Sequence, residues 1–142
     1  MSGNNPKYLV VIVGPTAVGK TDLCVELGLS FGTEIISADS RQFYKEMNIG
    51  TAKPKEEEMR GVPHHFINNK NIVDDYNVGL FEKEALAAIN VIFETKDICI
   101  LTGGSGLYID AVCKGIDEMP KISTELRQAL NEELDKYGIQ KR

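Results

Sequence analysis

Residues 7–21 read KYLVVIVGPTAVGKT, and the strongest evidence for the fold class lies in these fifteen positions. Its first part, Lys7–Val13, is a nearly continuous apolar run rich in β-branched residues, which is typical of a buried strand in a parallel sheet. The second part, Gly14–Thr21, matches the pattern GxxxxGK[ST] in full. The following stretch, Lys20–Phe31, carries apolar side chains at helical spacing, and Gly32 can end that helix. A strand, a glycine-rich loop and a helix in this order predict a phosphate-binding loop.

The predicted loop has the chemistry that a diphosphate or triphosphate requires. Its glycines let successive backbone N–H groups face one anion, and the helix N-terminus adds partial positive charge. Lys20 supplies a full positive charge, and the Thr21 hydroxyl can bind Mg²⁺. The alternative is a strand-to-helix turn that binds nothing. We predict a phosphate-binding loop with Thr21 as metal ligand, made of Gly14, Pro15, Thr16, Ala17, Val18, Gly19, Lys20 and Thr21.

The rest of the chain continues the alternation of strands and helices. Beyond the first helix the patterns predict two strands and three helices, at Thr33–Ala38, Asp97–Thr102, Val78–Thr95, Gly106–Lys114 and Ser123–Tyr137. This alternation predicts one α/β domain over residues 1–142, with a parallel sheet covered by helices on both faces. The polar stretch 47–77 is predicted to be a functional or mobile loop. No strand follows the last helix, so the sheet is expected to be incomplete.

Composition excludes several classes of protein. The chain has 142 residues, of which 42% are hydrophobic and 26% are charged, and this suits one folded domain. No apolar run is long enough to cross a bilayer and the start lacks a signal-like apolar core, so we expect a cytoplasmic protein without membrane association. The three cysteines show no short pairing, and Cys24 and Cys99 are predicted to be core residues. The net charge of −5 gives no support for a nucleic-acid partner, which must be argued from motifs.

Two strand ends carry further chemical information. Asp39 follows the second predicted strand and should face the same crevice as the loop, because ligands bind outside the carboxyl ends of parallel strands. Its carboxylate can act as a general base or a metal ligand, or it can cap a short helix over Arg41–Glu46. The third predicted strand ends in Thr102-Gly103-Gly104, with no carboxylate to hold a metal and orient water. This absence argues against a hydrolysing ATPase and favours a transferase acting on a phosphorylated small molecule.

Two other clusters give weaker predictions. The pair His64-His65 could suggest a metal site, but adjacent side chains diverge and no third ligand has suitable spacing. Lys53, Lys55 and Arg60 could touch a phosphate. Because Glu56–Glu58 lie among them, a solvated helix of mixed charge is the preferred interpretation.

Five motifs in order resemble those of the tRNA dimethylallyltransferases, also called tRNA isopentenyltransferases. They are GPTAVGKT, SADSRQFY, IGTAKP, PHH and TGGSGLY, which begin at Gly14, Ser37, Ile49, Pro63 and Thr102. The resemblance implies a fold like that of P-loop kinases. It also implies transfer of a dimethylallyl group from dimethylallyl diphosphate to the exocyclic amine of the adenine adjacent to the anticodon of a tRNA. The loop would then hold the diphosphate of the donor instead of ATP, which agrees with the missing carboxylate.

The resemblance also implies roles for individual residues. Asp39 matches the general base, and Lys20 and Thr16 match catalytic positions of the donor-binding loop. Lys20, and Mg²⁺ on Thr21, would neutralise charge on the leaving diphosphate. The positions that match tRNA contacts are Asp39, Ser40, Arg41, Gln42 and Ser105. The expected partners are dimethylallyl diphosphate and a tRNA anticodon stem-loop, whose target base must be swung out to be reached. The chain is expected to be a monomer.

Members of this family are longer than the present chain. Their pattern continues into a helical insertion that grips the anticodon stem-loop and into later segments with a catalytic arginine. The chain stops at Arg142, so we expect it to be the N-terminal portion of such an enzyme. Two alternatives stay open: a small-molecule kinase that uses ATP, and a donor-binding fragment without catalysis.

Overall fold

A parallel sheet organises the residues that this computed structural model describes, which are 5–117 and 122–138. The ends of the predicted 1–142 domain therefore lie outside the described residues. In chain order the strands are β1 (Tyr8–Val13), β2 (Ile35–Ser37), β3 (His64–His65) and β4 (Ile98–Gly103). Their spatial order is β1-β4-β2-β3, and every neighbouring pair is parallel. The three predicted strands are confirmed with ends shifted by one or two residues, and β3 is an addition that the sequence patterns missed.

Helices follow the strands as the alternating pattern requires. In the described part of the chain they are α1 (Lys20–Phe31), α2 (Glu56–Met59), α3 (Val78–Thr95), α4 (Gly106–Lys114) and α5 (Thr124–Tyr137). The predicted bounds of α1, α3 and α4 are confirmed. The predicted last helix is also confirmed, since Ser123, the first residue of the predicted range, is its N-cap and its hydroxyl accepts from the Leu126 N–H at 3.2 Å. None of the described helices has both the length and the hydropathy that a membrane span requires.

Both faces of the sheet are covered, as predicted for an α/β domain. Because side chains alternate along a strand, Ile35 and Ile100 pack with α1 on one face. Ile36 and Leu101 point to the other face, where they pack against α3, α4 and an aromatic cluster around Phe43. Cys24 and Cys99 are only 1% and 0% exposed, which confirms them as core residues.

The stretch 47–77 contains α2 and β3 and otherwise consists of turns, here named the tied turns, which side-chain hydrogen bonds connect. The Lys53 ammonium donates to the Tyr44 carbonyl and to the side-chain oxygens of Asn48 and Asn68, at 3.2 and 2.7 Å for the two asparagines. Lys53 is therefore a structural tie between three segments and not part of a solvated helix. The mixed-charge helix itself is confirmed over Glu56–Met59.

The expected helix over Arg41–Glu46 does not form, and this stretch consists of turns with one bridge at Tyr44. Tyr44 and Lys70 form that bridge, and the Phe43 carbonyl accepts from the Lys70 N–H at 2.9 Å. The backbone groups that a helix would pair internally are therefore bonded to a neighbouring segment.

Candidate donor and base site

The carboxyl ends of β1, β2 and β4 open into one cavity of about 380 Å³, here named the strand-end cavity. This is the edge where ligands bind in open parallel sheets. Its lining comes from the predicted loop, from the ends of β2 and β4, and from the tied turns. The lining residues include Thr16, Ala17, Gly19, Lys20, Thr21, Asp39, Gln42, Ala52, Lys53, Pro54, Lys55, His64, Ile67, Thr102, Gly103 and Gly104. The fold therefore brings the predicted loop, Asp39 and Gln42 together at one cavity.

The predicted phosphate-binding loop is sharply wound between β1 and α1. Gly19 has a φ of 93° and Ala17 a φ of 63°, and such positive values are uncommon outside glycine. The Lys20 ammonium donates to the Gly14 carbonyl at 2.7 Å and to the Pro15 carbonyl. A bound phosphate would compete with these two carbonyls for the same cation. Lys20 is thus held at the loop that it is predicted to serve.

Asp39 caps a turn and also lies at the strand-end cavity, and its role as general base or metal ligand stays a prediction. Its Oδ1 accepts from the Arg41 N–H at 3.0 Å and its backbone carbonyl accepts from the Gln42 N–H at 3.0 Å, so its carboxylate caps a turn. The residue also lines the strand-end cavity. Within the described residues Oδ2 accepts no hydrogen bond, and one carboxylate oxygen is therefore available to a ligand.

Ser40 and Ser105 join the turn at Asp39 to the start of α4. The Ser40 N–H donates to the Ser105 hydroxyl at 3.3 Å, and the two hydroxyl oxygens lie 3.5 Å apart. Ser105 occupies the N-cap position of α4, yet its hydroxyl does not cap that helix. Arg41 lies beside this contact with an exposed side chain, which makes no hydrogen bond or ion pair to the described residues.

Gln42 is half-buried, and its side-chain amide is bonded inside the protein. Its Nε2 donates to the carbonyls of Thr51 and Ala52 at 3.1 and 3.2 Å, and its Oε1 accepts from the Ser37 hydroxyl at 3.1 Å. Both N–H bonds of the amide are used, so the predicted tRNA contact of Gln42 would have to use the remaining lone pair of Oε1. That contact stays a prediction.

The end of β4 brings backbone, and no carboxylate, to the cavity. Thr102, Gly103 and Gly104 all line it. A Cβ on Gly103 would lie 2.5 Å from the Ala38 carbonyl oxygen, so only glycine allows β4 to approach β2 this closely. Burial raises the pKa of the Cys24 thiol beneath this edge, and a hydrogen bond with the Thr102 side chain and the Lys20 charge oppose that rise.

His64 lines the cavity, although the pair His64-His65 supported only a weak metal-binding interpretation. Its Nδ1 donates to the Val62 carbonyl at 2.8 Å, and burial lowers the pKa of the imidazole. His65 points elsewhere and bonds Glu34 at 2.6 Å, as expected for adjacent residues of a strand. Within residues 5–117 and 122–138, no three His, Cys, Asp or Glu side chains are placed to share a metal ion. No local sequence pattern marks His64 as a cavity residue, because its strand β3 is defined only by its pairing with β2.

Most of this chain matches a protein-family model. The family model described as IPP transferase matches residues 42–142, which is more than two thirds of the chain. Curated proteins similar in sequence point to the same family. The chain is 55% identical over 134 residues to a tRNA dimethylallyltransferase of Flavobacterium johnsoniae and 47% identical over 134 residues to that of Cytophaga hutchinsonii. These alignments cover 94% of this chain, but only 43% and 44% of the relatives, so the chain spans less than half of their length.

Solved structures show the same fold. The full-length tRNA isopentenylpyrophosphate transferase of Bacillus halodurans matches with a TM-score of 0.76 and 41% identity, over 94% of this chain and 45% of that one. A eukaryotic dimethylallyltransferase acting on tRNA matches with a TM-score of 0.73 and 31% identity, over 84% of this chain and 31% of that one. The family match, the sequence identities and the shared fold agree, and this chain belongs to the IPP transferase family.

Proposed function

We propose that the protein transfers a dimethylallyl group from dimethylallyl diphosphate to the exocyclic amine of the adenine next to the anticodon of a tRNA. The observation that carries this proposal is the shared cavity, which is lined both by the glycine-rich loop with Lys20 and by Asp39, whose Oδ1 is held by the Arg41 N–H. The end of β4 supplies no carboxylate, which favours transfer over hydrolysis. The chain would supply the donor site and the general base.

The loop residues would bind the diphosphate of the donor. Backbone N–H groups between Gly14 and Thr21 face one anion in loops of this kind, and the start of α1 adds partial positive charge. When Lys20 leaves the Gly14 and Pro15 carbonyls, its ammonium can neutralise charge that builds on the diphosphate as the C–O bond breaks. Thr16 lies at the cavity wall and would contact the same group.

Asp39 would act as the general base. The lone pair of an adenine amine is shared with the ring, so the nitrogen is a poor nucleophile. As the new C–N bond forms, the amine proton would pass to Oδ2 of Asp39, and diphosphate would leave with the electrons of the broken C–O bond. A positioned base of this kind typically contributes 10²- to 10⁴-fold in rate. The bond from the Arg41 N–H to Oδ1 would hold the carboxylate in place for this task.

The turn at Asp39 and the start of α4 would contact the tRNA. Arg41 is exposed and suits an RNA phosphate, because a guanidinium can donate two parallel hydrogen bonds. Ser40 and Ser105 present hydroxyl groups on the same surface. Base flipping would bring the adenine amine to Asp39.

A Mg²⁺ ion fits the oxygen groups present. Thr21 and Asp22, in the first turn of α1, line the cavity with Asp39, and Mg²⁺ prefers one or two such oxygens together with substrate phosphates and water. We infer that Thr21 is a metal ligand. When bound, the ion would add positive charge beside the leaving diphosphate. We further propose that the protein is monomeric and cytoplasmic.

The direct test is a transfer assay with the full-length protein. Dimethylallyl diphosphate and an anticodon stem-loop with adenine at the target position are mixed with protein and Mg²⁺, and the mass of the RNA is measured by mass spectrometry. We expect the RNA to gain one five-carbon group, and a stem-loop with guanine at that position serves as the matched control. An RNA of unchanged mass would contradict the proposal.

Calorimetry on the 142-residue chain separates the alternatives that the sequence left open. We expect dimethylallyl diphosphate to bind and ATP to bind more weakly. Micromolar ATP binding without any response to the prenyl diphosphate would favour a small-molecule kinase. Donor binding without transfer by this chain, together with transfer by the full-length protein, would identify it as a donor-binding fragment.

A further inference from the structure

The Gln42 side chain lies where three pieces of the strand-end cavity meet. Its backbone N–H closes the turn at Asp39, its Oε1 accepts from Ser37 at the end of β2, and its Nε2 donates to Thr51 and Ala52. Two backbone carbonyls can only accept, so they determine which side-chain atom of Gln42 is the nitrogen. The amide is therefore committed to internal bonds.

Segment 51–55, which Gln42 holds, forms part of the cavity lining. Ala52, Lys53, Pro54 and Lys55 all line the cavity together with the phosphate-binding loop. Thr51 is 5% exposed, and its hydroxyl donates to the Met47 carbonyl at 2.9 Å. The segment carries no regular secondary structure before α2, so side-chain bonds hold it in position.

We propose that Gln42 is a positioning residue for donor binding, which fixes segment 51–55 as a wall of the cavity and does not bind RNA through its amide. This inference rests on the proposed function, because it assigns the donor to the strand-end cavity. Preorganised walls raise affinity by removing the cost of ordering them when the ligand binds. Without the two Nε2 bonds, segment 51–55 would become ordered only when the donor binds, and this cost would lower donor affinity.

The test compares Gln42→Met with its neighbour Arg41→Ala. Methionine has a similar size but donates no hydrogen bond, and it adds no charge that would repel RNA. We expect Gln42→Met to raise the Kd for dimethylallyl diphosphate about tenfold, as expected from two lost hydrogen bonds, with the KM for RNA unchanged. Arg41→Ala should give the opposite pattern, a raised KM for RNA with an unchanged donor Kd. A raised RNA KM with an unchanged donor Kd in Gln42→Met would overturn the proposal.

Hydrogen exchange supplies a readout that needs no ligand. In Gln42→Met the backbone N–H groups of Thr51, Ala52, Lys53 and Lys55 should exchange at least tenfold faster, while those of β1 and β4 keep their protection. The change should be clearest at Lys55, whose N–H donates to the Glu58 carboxylate at 2.6 Å. Gln42→Glu, whose carboxylate would face two carbonyl oxygens, should show a larger change in the same amides. Unchanged exchange in segment 51–55 would contradict the positioning role, and uniformly fast exchange would show a folding defect instead, which also counts against a specific role.

Inorganic diphosphate separates this inference from the proposed function. If the wild-type protein binds inorganic diphosphate but transfers no prenyl group, the proposed function fails. The positioning role is then judged by whether Gln42→Met weakens diphosphate binding and loosens segment 51–55. If the prenyl transfer occurs and Gln42→Met leaves the donor Kd unchanged, only the positioning role fails.

Discussion

The backbone N–H of Ser40 donates to the Ser105 hydroxyl at 3.3 Å, and this contact joins two motifs that are 65 residues apart in sequence. Ser40 follows Asp39, so the bond fixes one side of the turn that carries the carboxylate. Ser105 stands at the start of α4, and its hydroxyl serves this turn instead of its own helix. The turn and the helix start therefore act as one unit at the edge of the strand-end cavity.

Removal of the Ser105 hydroxyl should slow the reaction through this contact. In Ser105→Ala the Ser40 N–H loses its partner, which costs about 1 kcal/mol. We expect a roughly fivefold lower kcat for prenyl transfer, with donor affinity unchanged. Ser105→Thr keeps the hydroxyl and is the matched control, with a kcat close to that of the wild type. An equal loss of kcat in Ser105→Ala and Ser105→Thr would show that the reaction rate does not depend on the Ser105 hydroxyl.

Lys20→Ala should weaken donor binding strongly. The variant removes the cation that is predicted to meet the diphosphate, and charge-assisted bonds of this kind contribute about 1.5–3 kcal/mol each. Calorimetry with dimethylallyl diphosphate should show a Kd raised by about tenfold or more. Lys83→Ala, an exposed lysine on α3 outside the cavity lining, is the control for the loss of one positive charge. A donor Kd equal to that of the wild type would remove Lys20 from the site.

Asp39→Asn should separate binding from chemistry. The amide keeps an oxygen that can accept from the Arg41 N–H, so the turn should persist. It cannot accept the amine proton, and we expect single-turnover transfer to fall by 10²- to 10⁴-fold while the donor Kd stays within about twofold. Rapid-quench kinetics and calorimetry measure the two quantities. Loss of donor binding as severe as that in Lys20→Ala would contradict the role of base.

Gly103→Ala should destabilise the fold at the strand ends. The added Cβ would lie 2.5 Å from the Ala38 carbonyl oxygen, which belongs to the backbone and cannot turn aside. Such overpacking costs about 1–3 kcal/mol, visible as a lower urea midpoint. Gly104→Ala is the matched control, because its Cβ meets nothing closer than the Gly14 carbonyl at 4.0 Å. Similar midpoints for the two variants would show that the sheet can spread at low cost.

His64 should make stability depend on pH. Burial lowers its pKa below the value of 6.5 for a free imidazole, and the bond to the Val62 carbonyl opposes this only in part. At pH values between the lowered pKa and 6.5, His64 is protonated in the unfolded chain and neutral in the folded chain. The free energy of unfolding therefore falls as the pH drops below 6.5. Urea midpoints at pH of about 7.5 and 5.5 measure the loss.

His64→Asn removes the titrating ring and keeps an N–H for the Val62 carbonyl. We expect a smaller fall of the urea midpoint between these two pH values than in the wild type. His65→Gln leaves His64 buried but removes the His65 charge, which is the smallest cause of the lowered His64 pKa, so it should retain most of the His64 contribution. An undiminished fall in His64→Asn would assign the effect to other groups.

Local patterns were sufficient for most of the fold. The run Lys7–Val13, the glycine-rich loop and the apolar spacing of α1, α3 and α4 predict these elements within one or two residues. Each depends on contacts between residues that are close in sequence, or on a side-chain period that one buried face imposes. The strand β3 could not be predicted, because its two histidines show no alternation of buried and exposed residues. It is recognisable as a strand only by its hydrogen bonding to β2.

Consecutive residues were enough to predict the α/β alternation, the glycine-rich GxxxxGK[ST] loop with Lys20 and the lack of a carboxylate at the end of β4. Three relationships became visible only in the folded chain. Asp39 both caps a turn and lines the cavity, the Ser40 N–H donates to the Ser105 hydroxyl, and the Gln42 amide donates to the carbonyls of Thr51 and Ala52. These relationships join residues up to 65 positions apart, and no local period records them. They exist because β4 lies between β1 and β2, which brings three strand ends to one place.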